Sequence, residues 1–349
     1  MFFIRALSVF ILLSIAAIGQ TASRVEVRLV TDEPDAVLAI LAKRQASSAI
    51  TEDDWKALFD SEGYRRLKKR ELSMKRPFED AEFKKFVLSP ELLSRAAALK
   101  QTLEKWEQAD LSRPAALALA YLPENATIKA KIYPSIKPKE NSFVFEVDSD
   151  PAIFLYVDPQ VTREEFENTL EHELHHIGYG TACPATASKE WIAQQPTAVQ
   201  QFNEWAGSFG EGYAMLAAAG GPDIHPRATA TVKKRHRWDS DMADFNKNQQ
   251  ELNQYFRDML SGKLSKEQVS ERGFTYFGYQ GPWYTVGWKM AVTIEKAYGR
   301  KELIRAECDG SALALYNAAA EINNKSGKQS LPLWSPDVVS ALPLNKQDH

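Results

Sequence analysis

The stretch Thr162-Arg163-Glu164-Glu165-Phe166-Glu167-Asn168-Thr169-Leu170-Glu171-His172-Glu173-Leu174-His175-His176-Ile177-Gly178 decides how the rest of the chain is read. Thr162 with Glu165 three positions on has the form of a capping box, in which the hydroxyl and the carboxylate each satisfy a backbone N–H of the first turn. A helix is therefore predicted from this point to about Gly178 or Gly180, glycine being a usual stop. Phe166, Leu170, Leu174 and Ile177 recur at helical spacing and form its apolar stripe. At about 100° per residue, His172 and His176 lie roughly 40° apart on the helix surface, and Glu173 stands about 100° from His172. Two imidazoles thus point to one side with a carboxylate beside them. His175 falls on the opposite flank with Glu164 and Glu171, which predicts a solvent-facing residue or one that supports the ligands from behind.

His172-Glu173-Leu174-His175-His176 contains His-Glu-x-x-His, a pattern with a known mechanism. This composition would produce it by chance roughly 0.008 times. Two neutral imidazoles and one carboxylate hold Zn²⁺ while leaving a position for water, whose pKa falls to about 7 on the metal. Glu173 is placed to take a proton from that water and to pass it to a departing amine. A third protein ligand is needed. Glu211 in Ser208-Phe209-Gly210-Glu211-Gly212-Tyr213-Ala214 is the first choice, because flanking glycines let two helices approach closely around a small ion. Glu204, one heptad earlier on the same face, is the alternative, and His225 or His236 would give a three-histidine site from loop positions.

Working outward, the period changes on both sides of this helix. Ile128, Ala130 and Ile132 alternate with polar residues, as do Phe143, Phe145 and Val147, and Ala152–Val157 is a continuous apolar run, so three strands precede the motif. Before them, Asp35 to Tyr121 reads as helices, with Val37, Leu38, Ile40, Leu41, Trp55, Leu58, Phe59, Leu92, Leu99, Leu103 and Trp106 at spacings of three and four. Thr51 with Asp54, Ser89-Pro90-Glu91 and Arg113-Pro114 mark helix starts. After the motif, 198–219, 241–260, 284–298 and 311–323 read as further helices. The expected fold class is mainly α with a small β-sheet, α+β. A helical N-terminal lobe is expected over 24–125, and a domain of strands followed by active-site helices over 126–349.

The His172–His176 motif followed by Gly210-Glu211-Gly212-Tyr213-Ala214 resembles the gluzincin class of zinc metallopeptidases, in which the first motif supplies two histidine ligands and a catalytic glutamate and a second helix supplies a glutamate ligand. More closely, the chain is similar to uncharacterised bacterial families of zinc-dependent peptidases. That similarity runs from the region of Trp55 through Asn141-Ser142-Phe143 to Gly281-Pro282-Trp283-Tyr284-Thr285-Val286-Gly287. The resemblance implies a zincin-like catalytic domain acting on a peptide or protein substrate. The Gly-x-Met-Glu-Asn segment of gluzincin aminopeptidases is absent, which argues against an N-terminal exopeptidase.

The start of the chain reads as an export signal over residues 1–19: Arg5, an apolar run from Ala6 to Ile18, then small residues. That run is shorter than the roughly 18–20 residues of a spanning helix. A secreted or periplasmic chain with no stable membrane insertion after cleavage is expected. Export would permit a Cys183–Cys308 disulfide, although sequence alone gives no distance between the two. With 43 basic and 46 acidic residues and a net charge of −3, nothing draws the chain as a whole to nucleic acid or an anionic membrane. Two cysteines exclude disulfide-dense scaffolds and cysteine-built zinc modules.

A donor to the substrate carbonyl oxygen should face it from the side opposite Glu173. Tyr284, just after Pro282 at a helix start, is the choice, a core aromatic being the equal alternative; Tyr279 and His225 are substitutes. Lys233-Lys234-Arg235-His236-Arg237 reads as a solvated loop, with a substrate carboxylate or an acidic partner as its other use. Phe274, Tyr276, Phe277, Tyr279, Trp283 and Tyr284 line a cleft or fill the core. Two other classes compete with the peptidase. A di-iron oxidase would need Glu-x-x-His twice, and it occurs once; a catalytically silent zinc-binding relative, acting as a peptide- or protein-binding module, would not need Glu173. The oligomeric state is left open.

Overall fold

A computed structural model describes residues 24–343 except 148, 184–185, 279 and 328–329, and for 186–189 the backbone alone. The expected export signal and Tyr279 lie outside the described residues. The described chain forms two compact units, one containing the residues up to Ala116 with Thr127–Ile177, the other Leu117–Ala126 with Gly178 onward. The early helices and the sheet fall together in the first unit.

The first unit is built on a four-stranded sheet of order β1-β2-β4-β3, from β1 (Val25–Leu29), β2 (Ile128–Ser135), β3 (Phe143–Phe145) and β4 (Ala152–Tyr156). β1 and β4 flank β2 in parallel, with Leu29 opposite Ile132 and Tyr133 opposite Phe154, while β3 runs antiparallel along β4 with Phe143 opposite Phe154. β4 has neighbours on both edges, which accounts for its unbroken apolar run. The sequence predicts three of these strands. β1 is the addition: it occupies an edge and alternates half-buried Val25, Val27 and Leu29 with exposed Glu26 and Arg28.

Six helices join β1 to β2: α1 (Asp32–Gln45), α2 (Glu52–Asp60), α3 (Glu62–Ser73), α4 (Asp80–Val87), α5 (Pro90–Glu107) and α6 (Ser112–Leu119). The expected caps are in place. The backbone N–H of Thr51 donates to Asp54 at 2.7 Å, and Ser89 Oγ accepts from the N–H of Leu92 ahead of Pro90. The buried Arg66 of α3 donates to Tyr133 Oη, Asp150 Oδ2 and Glu146 Oε2 at 3.1, 3.0 and 2.8 Å, tying the β3–β4 connection to the helices. Helix α7 (Arg163–Ala182) follows β4; Thr162 Oγ1 accepts from the N–H of Glu165, and the helix continues past Gly178 and Gly180.

In the second unit, α8 (Thr186–Ala193), α9 (Thr197–Ala206), a 3₁₀ turn (Gly207–Phe209) and α10 (Gly210–Ala219) precede α11 (Val232–Ala243), α12 (Phe245–Leu260) and α13 (Lys266–Thr275). The last four are α14 (Pro282–Tyr298), α15 (Arg300–Asp309), α16 (Ala312–Lys325) and α17 (Pro336–Ser340). α14 is apolar on most of its circumference and lies inside this unit, packed on α10, α12, α15 and α16. Trp283, Val286, Met290 and Ile294 form its buried side with Phe209, Phe256 and Trp334 around them. No helix among the described residues is long and apolar enough to cross a membrane.

Cys183, just past α7, is bonded to Cys308 of α15, with Cα atoms 4.8 Å apart and a sequence separation of 125. Closing so long a loop in the unfolded chain removes much of its entropy. Cys308→Ser is expected to lower stability by about 2–4 kcal/mol, read as a fall in the urea midpoint of the non-reduced protein; an unchanged midpoint would show that the bond constrains little.

Candidate metal centre

The capped start and apolar stripe of α7 fix the rotation of the histidine motif. Phe166, Leu170, Leu174 and Ile177 are buried, and the ring of Trp106 stacks on Phe166 at 4.4 Å between centroids. His172 and His176 consequently project together, rings at 83° to each other and Nε2 atoms 3.1 Å apart. Two nitrogens bound to one zinc at tetrahedral angles stand roughly 3.3 Å apart, so the pair is already spaced for a shared ion. Glu211, in the first turn of α10, completes the set: each of the three half-buried residues offers one ligand atom, and these atoms lie within 4.8 Å of one another. Two imidazoles and one carboxylate suit zinc and leave coordination positions for water or substrate.

The profile of the DUF5700 family, described as "Putative zinc dependent peptidase", matches residues 55–325. The chain belongs to this family. No curated protein and no solved structure matches it. The family is described as zinc dependent, and His172, His176 and Glu211 form a set that could hold a metal ion.

The other candidate ligands are placed differently. Glu204 is exposed on α9, outside that set. His225 has both ring nitrogens engaged: Nδ1 accepts from the N–H of Arg227 at 2.9 Å, so Nε2 carries the hydrogen it shares with Asp239 at 3.0 Å. His236 is exposed, and it is helical, on α11, rather than in a loop. The whole basic run belongs to that helix. Its residues turn different ways, Arg235 towards the Ala228 carbonyl and Arg237 towards Asp241.

Of the two positions expected of His175, facing solvent or supporting the ligands from behind, the first does not hold: it is 1% exposed, and Glu165, Glu167 and Glu171 are buried as well. A run of charged residues imitates a solvated face in sequence, but here α7 is covered on that flank too. Compensation is visible, since Arg163 Nε donates to Glu167 at 2.9 Å and Asn168 Nδ2 to Glu171 at 3.2 Å. Burial pushes the Glu171 carboxyl up to about 7, with Asn168 and Arg113 pulling the other way and Glu167 adding to the rise.

Glu173 is half-buried on α7 and is not one of the three clustered residues, which suits a base better than a ligand. Tyr284 is half-buried in the first turn of α14, its N–H donating to the Gly281 carbonyl at 3.0 Å. The surrounding aromatics are mostly core. Trp283 and Tyr276 are buried, and Trp283 Nε1 donates to the Gly273 carbonyl at 2.9 Å, while Phe274 is 66% exposed.

Sequence reasoning missed how Glu211 is held. A Cβ on Gly212 would lie 2.0 Å from the backbone nitrogen of Trp288 and 2.2 Å from the carbonyl carbon of Gly287. A Cβ on Gly287 would meet the Phe209 carbonyl oxygen at 2.6 Å. α10 and α14 therefore touch backbone to backbone beside Glu211. The sequence contains the signal, small residues at both positions, but not the pairing.

Proposed function

We propose that this chain is an exported zinc metallopeptidase of the gluzincin type, hydrolysing peptide bonds with Glu173 as general base and with His172, His176 and Glu211 as metal ligands. The observation that carries the reading is the facing pair of histidine nitrogens with Glu211 beside it. Bound zinc supplies a Lewis acid that lowers the pKa of water to about 7 and polarises a carbonyl. The rest falls to side chains. Glu173 takes a proton from the attacking water onto a carboxylate oxygen as the water oxygen bonds to the carbonyl carbon. It then delivers that proton to the amide nitrogen as the C–N bond breaks, leaving a free acid and a free amine. Tyr284 is assigned as the phenol that donates to the carbonyl oxygen while negative charge builds there. The Cys183–Cys308 bond accords with an oxidising compartment, where such bonds persist.

Elemental analysis tests the metal assignment. The full chain after export is expected to contain about one zinc per molecule, and Glu211→Ala is expected to lose most of it while keeping its circular dichroism. Full zinc in Glu211→Ala would remove Glu211 from the site; no zinc in the parent after reconstitution would remove the hydrolytic reading with it.

A further inference from the structure

In the first unit, two adjacent carboxyl groups in the first turn of α1 join that helix to α3 and to β2. Asp32 accepts from the backbone N–H groups of Glu62 and Gly63, satisfying two donors at the start of α3. Glu33 is 1% exposed, and its Oε2 accepts from the N–H of Ile136, just past β2, at 3.1 Å. Its Oε1 is buried and has no hydrogen-bond partner among the described residues. α3 is pressed against this turn, since a Cβ on Gly63 would lie 3.0 Å from both Glu33 Cβ and Asp32 Oδ1. The charges nearby do not neutralise Glu33. Asp32 and Asp35 stand on the same stretch of α1 and oppose a further negative charge. Lys137 is the cation next to Ile136, but its Nζ is engaged by its own loop, donating to the Asn141 carbonyl at 2.6 Å and to Asn141 Oδ1 at 2.7 Å. From α3 comes Tyr64, whose hydroxyl donates to Asp80 of α4 at 2.7 Å, and from β2 comes Tyr133, which donates to Glu62 at 2.8 Å and accepts from Arg66 at 3.1 Å. Where α2 and the start of α5 meet charged groups of α1, it is near the other end of that helix: Lys43 pairs with Asp54 at 2.6 Å and Arg44 donates to the Ser89 carbonyl at 3.1 Å.

We propose that Glu33 is a proton-operated latch of the first unit: with its proton it closes the joint between the first turn of α1 and the end of β2, and on losing it the joint opens, so that the unit is tight in acid and loosens as pH rises. A carboxylate shut off from solvent with one amide donor carries a desolvation cost that a single hydrogen bond does not offset. Burial therefore holds the Glu33 carboxyl well above its ordinary value of 4.5, with Asp32 and Asp35 adding to the rise and the Ile136 N–H and Lys137 pulling the other way. The N-terminus of α1 favours negative charge, but Asp32 already supplies it in the same turn, with two backbone N–H groups to receive it. Above pH 4.5 the unfolded chain releases this proton while the folded unit keeps it, so the stabilisation is fully present below that value and is lost as pH rises through the raised, folded one. Opening gives the Glu33 carboxylate to water and frees the N–H of Ile136, and with it the connection 136–142 that leads into the edge strand β3. The latch lies wholly within the first unit and does not depend on the peptidase reading.

The test is hydrogen exchange of the full chain, read by mass spectrometry on peptides spanning 130–142 and corrected for the intrinsic pH dependence of amide exchange. Over the range from about pH 5 to about pH 7, Lys137 stays charged, because burial lowers it only to about 8, and the Tyr64 phenol, which burial pushes up, stays neutral. One proton linked to closing changes the closing constant by about tenfold per pH unit, so protection of 130–142 in the parent is expected to fall at least about tenfold across that range. Glu33→Gln keeps the size of the side chain and an acceptor for the Ile136 N–H but cannot ionise. It is expected to lose this fall and to exceed the parent in protection at the upper end of the range, with peptides of α14 alike in the two proteins. Equal pH dependence of 130–142 in parent and variant overturns the latch. Constant protection in the parent overturns it too, and that result does not require the variant to fold. A fall shared equally by peptides of both units would assign the effect to the charge of the whole chain and would also remove Glu33 from it.

Discussion

Glu173→Gln is expected to keep its zinc and lose its hydrolysis. Glutamine has nearly the volume of glutamate and Glu173 is not among the three residues whose ligand atoms converge, so neither packing nor metal binding is disturbed. On the proposed mechanism, what is lost is the carboxylate lone pair that would take a proton from water and the acid that would return it to the leaving nitrogen. A positioned general base contributes about a hundred- to ten-thousandfold, and kcat should fall by that amount with KM little changed, since the interaction operates only as the bond is made and broken. Turnover equal to that of the parent at equal zinc occupancy would remove Glu173 from the mechanism. A parent that retains peptides and zinc but cuts nothing would move the chain to the class of silent relatives that bind peptides, in which Glu173 has no task.

The parts of this molecule that are legible in its sequence are those whose determinants are local. The cap at Thr162, the apolar stripe from Phe166 to Ile177 and the four-residue spacing of His172 and His176 all lie within one helix, so its chemistry follows from its periodicity. The change from a period near four to a period of two likewise announces β2 and β3, and an unbroken apolar run announces β4. What escapes is determined by neighbours distant in the chain. α11 carries the basic run and buries only Trp238, so its apolar signal is a single residue and it reads as a loop. His175 and Glu171 look solvated because charge is visible in sequence and the elements that cover a helix are not. Whether Cys183 pairs with Cys308, 125 residues on, is a question of distance that no spacing rule answers.

Gly212→Ala is expected to damage both the second unit and the metal site, whereas Gly210→Ala is expected to damage neither. The two glycines flank Glu211 symmetrically in sequence, and helix propensity favours alanine at both by roughly 1 kcal/mol. Their surroundings differ. A methyl group on Gly210 meets nothing within 4 Å, while on Gly212 it would lie 2.0 Å from the Trp288 nitrogen and 2.5 Å from the Gly287 Cα. Those are backbone atoms of a buried helix and have no rotamer by which to withdraw, so α10 and α14 must separate by an ångström or more. Overpacking of this kind costs about 1–3 kcal/mol, occasionally more, and with backbone atoms in the way a net loss of about 1–2 kcal/mol is expected after the propensity gain is subtracted. The separation also carries Glu211, the adjacent residue, away from the position that its carboxylate takes beside His172 and His176. Gly212→Ala should therefore combine a lower urea midpoint with weaker zinc retention against a chelator, and Gly210→Ala should match or exceed the parent in both. Identical behaviour of the two variants would mean that the close approach of α10 to α14 does not set the position of Glu211.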